Sequence, residues 1–225
     1  MKIERATGLV LRLRPLTETS LIVQWLTREA GRLATVAQGA RRPKSPFRGQ
    51  LDLFYLADLS YARSRRSELH QLREVRLLDS HAGLRTGLAW VRQACYGAAL
   101  LEQSTEAEAP VPWAFDLLRT WLRHLPGQPA QPQAIFAFEI KALQELGLKP
   151  KLEESRLTSG ARQILEKLLG ADWPEVYRLR LSEAQTAEIN RFLHGFLVYH
   201  LERVPRGRNA AVEAREIIEK SGVCH

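Results

Sequence analysis

The sequence predicts an α+β protein in which a five-stranded β-barrel at the amino end is followed by an all-α helical domain. Three observations lead there. Apolar residues alternate with a period of two from Thr7 to about Leu78, the period lengthens to that of a helix after Ser80, and the excess positive charge sits before that change. Residues 1–80 carry 15 Lys/Arg against 8 Asp/Glu, whereas residues 81–225 carry 18 against 17. A composition that is 45% hydrophobic, with Gly and Pro scattered, suits folded cores rather than disorder.

The strands follow in order. Leu9, Leu11 and Leu13 fall on one side of a first strand and Val10, Arg12 and Arg14 on the other. Leu21, Val23 and Trp25 repeat the pattern, the polar run Thr27–Arg32 turns the chain, and Leu33, Thr35 and Ala37 continue it. A long fourth run spans Leu51, Leu53, Tyr55, Ala57, Leu59 and Tyr61, and a fifth spans Leu69 to Leu78. Closure removes exposed sheet edges, and the OB-fold is the five-stranded barrel that commonly binds single strands; an SH3-like barrel has a similar strand count.

Beyond Ser80 helices take over, which divides the chain into a barrel domain, 1–80, and a helical domain, 81–225. Leu84, Leu88, Val91, Cys95 and Ala98 trace one stripe, and Phe136, Ile140, Leu143 and Leu146 another. Pro110 and Pro112 precede a helix over Trp113–Leu125 with Phe115, Leu118 and Leu122 on its apolar face. Pro126-Gly127 ends it, and Pro129 and Pro132 announce the next. Ser182 and Gln185 form a capping box ahead of Ile189, Phe192, Leu193, Phe196 and Leu197, which marks this helix as the central one of the second domain.

Several function classes lack support. The polar start Met1–Thr7 has no secretory apolar core, and no stretch approaches the ~20 apolar residues of a membrane span, so a cytoplasmic protein is expected. Two cysteines, Cys95 and the penultimate Cys224, make no disulfide framework. The histidines lack metal-ligand spacing, His194 and His200 read as structural, and neither a phosphate-binding glycine loop nor a nucleophile elbow is present. Asp52 and Asp58 alternate with apolar strand residues and read as a solvent-facing edge. No enzyme is expected.

The segment Gly39-Ala40-Arg41-Arg42-Pro43-Lys44-Ser45-Pro46-Phe47-Arg48-Gly49 sits between the third and fourth strands. It packs four cations between Arg41 and Arg48, with Pro43 and Pro46 denying it regular structure. An exposed loop of this kind releases counterions when its charges reach phosphates. Phe47 has two readings, a stacking face for a base or a plug folded back onto the barrel. Arg63, Arg65 and Arg66 form a second cluster in the next turn, and Arg12 and Arg14 a basic strand face; a barrel that brings these together makes one groove for a polyanion. A basic loop with an aromatic does not distinguish the sugars, so structured RNA is the alternative to DNA.

The run GARRPKSPFRGQLDLFYLADLSY resembles the amino-terminal domain of the RecO family, where a GxRRPKS-type loop precedes a long strand. LQELGLKP (Leu143–Pro150) and FLVYHLER (Phe196–Arg203) are similar to motifs of that family's helical domain. The resemblance implies an OB-fold followed by helices, binding of single- and double-stranded DNA, and annealing of complementary strands. It also implies a nucleoid-associated protein that, with RecR, helps load RecA on strands coated by single-stranded DNA-binding protein (SSB). The family binds the acidic, apolar-ended SSB tail, which implies a hydrophobic groove with a basic rim in the helical half. Arg119, Trp121 and Arg123 lie in that half, and nothing in their spacing singles them out. Many members carry a four-cysteine zinc element after the position of Pro150. Here Lys151–Leu157 contains no cysteine, and Cys224-His225 offers only two ligands, so neither zinc nor any other cofactor is expected.

Overall fold

The computed structural model describes residues 2–214; Cys224 and His225 lie outside the described residues. Five strands, β1 (Ile3–Pro15), β2 (Leu21–Thr27), β3 (Gly31–Ala37), β4 (Leu56–Ala62) and β5 (Leu69–Asp79), close into a barrel in the order β1-β2-β3-β5-β4. Neighbours pair antiparallel except β3 and β5, which run parallel over Ala34↔Leu69, Thr35↔His70 and Val36↔Gln71. This is the OB-type barrel that the resemblance implies, where strand alternation alone leaves an SH3-like barrel open.

Val10, Val23, Trp25, Leu33, Ala37, Leu59, Tyr61 and Leu72 fill the barrel, and Trp25 Nε1 donates to Thr35 Oγ1 at 2.9 Å inside it. The alternation expected in β1 does not hold throughout. Val10 pairs with Trp25 and Arg12 with Gln24, so Leu11 is an extra residue, and the bulge brings Leu13 to the side of Val10 rather than that of Leu9. The fourth strand also starts later than its apolar run, at Leu56. Asp52 accepts from the N–H of Leu53 and Tyr55, and Phe54 takes a left-handed φ of 62°, which turns the chain before the strand begins.

Among the described residues seven α-helices follow: α1 (Leu88–Ser104), α2 (Pro112–His124), α3 (Pro132–Glu145), α4 (Ser159–Gly170), α5 (Trp173–Arg178), α6 (Glu183–Leu201) and α7 (Arg208–Val212). By packing, one compact unit takes the chain up to Ala82 together with Leu100–Arg123, and the other takes Gly83–Ala99 and the chain from His124 on. The barrel unit therefore includes the end of α1 and nearly all of α2, with Phe115, Leu118, Trp121 and Leu122 buried. Change of period and compactness divide the chain differently because part of a helical segment serves the barrel.

That segment covers an open edge. Parallel pairing with β5 begins only at Ala34, and beside the unpaired start of β3 the strap after α1 lies parallel, bridging Arg32 to Ala107. The Glu108 N–H donates to Arg32 O at 2.7 Å, and the Arg32 guanidinium donates to Thr105 Oγ1 and O. Gly31 has φ +68°, and a Cβ there would sit 1.9 Å from the Ala109 carbonyl oxygen.

In the second unit the central helix is α3, not α6: every residue from Gln133 to Ile140 is buried, and α4, α5, α6 and α7 all pack on it. Its apolar pattern is interrupted by Glu139, fully buried, which accepts from Arg208 Nε and Nη2 at 2.7 and 2.9 Å and from the Tyr96 hydroxyl. Arg208 Nη1 also donates to Asn190 Oδ1 at 2.6 Å. Burial works against the charged guanidinium, but its bonds to Glu139 more than offset this, and burial together with the Glu139 charge pushes the Tyr96 hydroxyl up. This cluster also explains why the stripe expected in α1 is displaced. Leu84 and Ala98 are buried as read, but Leu88 and Cys95 are exposed, and Ala89, Gln93 and Tyr96 face inward instead. The α6 capping box is present as read, with Ser182 Oγ accepting from Gln185 N and Gln185 Oε1 from Ser182 N.

After α3 the backbone leaves by a Schellman turn, with Leu148 N–H on Leu143 O, Gly147 N–H on Gln144 O, and Gly147 at φ 73°. The following Lys151–Leu157 segment is secured by buried Leu152 and Leu157 and by Ser155 Oγ donating to Leu152 O. Glu188 holds the Thr158 N–H and hydroxyl just beyond it. No group of three potential metal ligands occurs among the described residues. A strong chelator is expected to leave the melting temperature unchanged, and a downward shift would reveal a structural metal.

Two substitutions test the strap. Gly49→Ala, with φ +71° and open space around it, should cost about 1 kcal/mol of backbone strain, and Gly31→Ala at least twice that, because the strap must also move; thermal unfolding ranks them. Arg208→Met strands the Glu139 charge and should cost about 3–5 kcal/mol, most of it recovered when Glu139→Leu is added, as measured by urea denaturation.

Candidate nucleic-acid interface

The loop between β3 and β4 is a chain of tight turns. Arg42 N–H donates to Gly39 O, Ser45 to Arg42, Arg48 to Ser45 and Gln50 to Phe47, each at 3.0–3.2 Å. Gly39, at φ +67°, permits the first bend. The loop is fixed at two points. Arg41 N–H donates to Thr19 O at 3.0 Å in the turn after β1, and Phe47, only 7% exposed, packs into the barrel core. Phe47 thus packs in the core rather than standing out as a stacking face. Arg41, Arg42, Lys44 and Arg48 are all exposed. Arg41 and Arg48 reach only backbone carbonyls, of Thr17 and Pro43, and none of the four meets a carboxylate among the described residues. Arg14, exposed near the end of β1, leads into the same turn.

The turn between β4 and β5 is built around His70. Ser64 N–H donates to His70 Nδ1 at 3.3 Å, which leaves the ring proton on Nε2, 3.0 Å from Glu108 Oε1. The ring stacks on Tyr61, 5.4 Å between centroids. Arg63 does not face outward with its neighbours. It is clamped between Glu4 at 3.1 Å and Glu108 at 2.5 Å, and its bond to Glu4 leads the causes that push its pKa up. Burial raises the Glu4 carboxyl, but the bonds from Arg63 and Tyr61 prevail and hold it below the usual range. Tyr61 is pushed up to about 12, by burial first and then by Glu4.

Arg65 and Arg66 remain exposed and meet no carboxylate among the described residues. They line an open groove of about 650 Å³ with Arg63, Gln38, His70 and Arg73. Arg73 is not among the cations that the sequence singles out. Ser60 pairs with Glu74 and Tyr61 with Leu72, so Arg73 is the bulged residue of β5, exposed and beside this groove. Its alternation with Leu72 does signal an outward side chain, but a lone strand cation is a fainter mark than the clustered charges of the loops.

Carboxylates thus sort the cations expected to bind. Arg12 is taken by Glu102 at 2.6 Å and Arg63 by Glu4 and Glu108, while Asp116 meets Arg28 at 3.3 Å. Two positively charged faces stay open. Arg14 and the Arg41–Arg48 loop share one end of the barrel, and Arg65, Arg66 and Arg73 share the groove, whose lining stops at Gln38, next to the start of the loop. Arg12 and Arg63, held by carboxylates, thus drop out of the basic surface that the sequence suggests. Asp58 accepts from the Thr7 hydroxyl and Arg76 and is only partly buried, while Asp52 accepts from the Leu53 N–H in the turn before β4. Trp121 is fully buried and cannot wall a docking groove. No helix among the described residues is long and apolar enough to cross a membrane.

Comparison with known proteins places this geometry. The family profile "Recombination protein O N terminal" matches residues 1–81, and "Recombination protein O C terminal" matches residues 93–158. The DNA repair protein RecO of Symbiobacterium thermophilum is 31% identical over 90% of this chain and 94% of its own length. That of Bacillus pumilus is 28% identical over 96% and 86%, and that of an Anaeromyxobacter strain 35% identical over 70% and 61%. A barrel with two unneutralised basic faces, followed by helices, thus coincides with matches to both halves of one family: the chain belongs to the RecO family of DNA repair proteins.

Proposed function

We propose that this protein is a cytoplasmic, nucleoid-associated recombination mediator. It binds single- and double-stranded DNA, anneals complementary strands, and with RecR helps load RecA on strands coated by SSB, whose acidic tail it contacts. The observation that carries this reading is two groups of exposed cations that meet no carboxylate among the described residues: Arg14, Arg41, Arg42, Lys44 and Arg48 at one end, and Arg65, Arg66 and Arg73 in the groove. Annealing needs no chemical step. Phosphate-directed charges reduce repulsion between two strands and concentrate them, and pairing then runs downhill.

Charge reversal tests the assignment. Arg41→Glu, Arg42→Glu and Lys44→Glu together should weaken single-strand binding and lower the salt slope by about 0.7 for each phosphate that is no longer neutralised. Arg65→Glu with Arg73→Glu should do the same, while Arg12→Glu, at a cation already paired, should have the smaller effect on the slope. An unchanged slope in the first variant sinks the loop assignment. Annealing of SSB-coated strands separates a mediator from a simple binder, and tighter binding of matched RNA than DNA in competition would favour structured RNA as the ligand.

A further inference from the structure

A second group of aromatic side chains, outside the barrel unit, has no part in the interface above. On α6, Phe192, Phe196 and His200 follow one another at four-residue spacing and form a ladder, with centroids 6.0 Å and then 4.3 Å apart. Tyr199 meets His200 edge-on at 4.9 Å and is 83% exposed, an unusual position for so large a ring. The three rings of the ladder line an open groove of about 400 Å³, whose opposite wall is Leu148, Lys149, Pro150 and Lys151. The Schellman turn at Gly147 sends the chain along that wall. Lys149 is exposed and in no ion pair among the described residues. Lys151 pairs with Glu154 at 3.3 Å, but both side chains are more than 70% exposed, so the pair is weak and readily exchanged for a phosphate.

Rings in succession beside cations are the arrangement that holds a single strand without regard to sequence, because every base has a stacking face and every linkage a charge. A pocket for one apolar peptide end would instead close around a single group, whereas these rings are strung along the helix. We infer that this groove is a second single-strand site, in which Phe192, Phe196 and His200 stack bases and Lys149 and Lys151 meet the backbone. The inference rests on the annealing role proposed above, since annealing requires two strands to be held at once and a stacking groove in the helical unit adds a place for a strand to those that the barrel cations offer.

Photocrosslinking of the full chain to a thymidine-rich oligonucleotide carrying 5-iododeoxyuridine, followed by peptide mapping, tests both sites separately. Adducts are expected on barrel peptides and on the α6 peptide containing Phe192 to His200. The α6 adducts should fall at least tenfold in Lys149→Glu, a surface change, and in Phe196→Leu, which keeps an apolar residue, while the barrel adducts stay within twofold. Adducts confined to barrel peptides overturn this inference and leave the proposed function standing; a loss of barrel adducts alone does the reverse, and no adducts anywhere count against both. Binding of a short acidic peptide in the groove, seen as NMR shifts of the α6 rings that an oligothymidine fails to produce, also overturns it.

Discussion

The unpaired start of β3 is the constraint on which the rest of the barrel unit depends. Parallel pairing to β5 covers only Ala34 to Val36, and the backbone at Gly31–Leu33 would otherwise face solvent as an open edge. The strap over Thr105–Ala109 answers this with a bridge at Arg32, and it passes so close that only glycine fits at position 31. Once the strap is there, Glu108 is carried between Arg63 and His70, while Glu102, just before it, meets Arg12. A need of the fold, covering an edge, thereby decides which cations are paired inside the protein and which stay available to a polyanion.

The two units use charge in opposite ways. In the barrel unit the available cations are exposed and meet no carboxylate among the described residues, so a phosphate can take them without first displacing a partner. In the helical unit Arg208 and Glu139 are buried, and removing either one leaves a charge with no solvent to receive it. The second pair holds α3 to α7 and, through Tyr96, to α1, and it is unsuited to exchange with a ligand. Formal charge counted along the sequence treats Arg41 and Arg208 alike; burial separates a cation open to a ligand from a structural one.

Local features were the legible ones. The change of period at Ser80, the Ser182–Gln185 capping box, the turn at Pro126-Gly127 and the exposed Arg41–Arg48 loop each follow from neighbours within a few residues. What the sequence hid depended on interactions at long range. The bulges at Leu11 and Arg73 are set by partner strands and reverse the expected facing without altering the pattern of letters. Glu139 reads as a polar interruption until Arg208, far along the chain, is placed against it, which is why the sequence pattern favours α6 over α3 as the central helix. Phe47 among four cations reads equally as a stacking ring or a plug, and only its packing in the barrel core decides between them.

A protein that brings complementary strands together must hold them without occupying what they use to recognise each other. Contacts from Arg or Lys to phosphate carry no sequence information and leave the pairing edges of the bases free. Stacking on a ring also uses the face of a base and not its edge. Binding through base edges in a tight pocket would give more affinity per residue, but it would compete with the pairing it is meant to promote. Under the proposed function, exposed cations on turns, anchored by a buried Phe47 and a clamped Arg63, would suit the opposite demand, gathering a strand by many weak, exchangeable contacts and releasing it as the duplex forms.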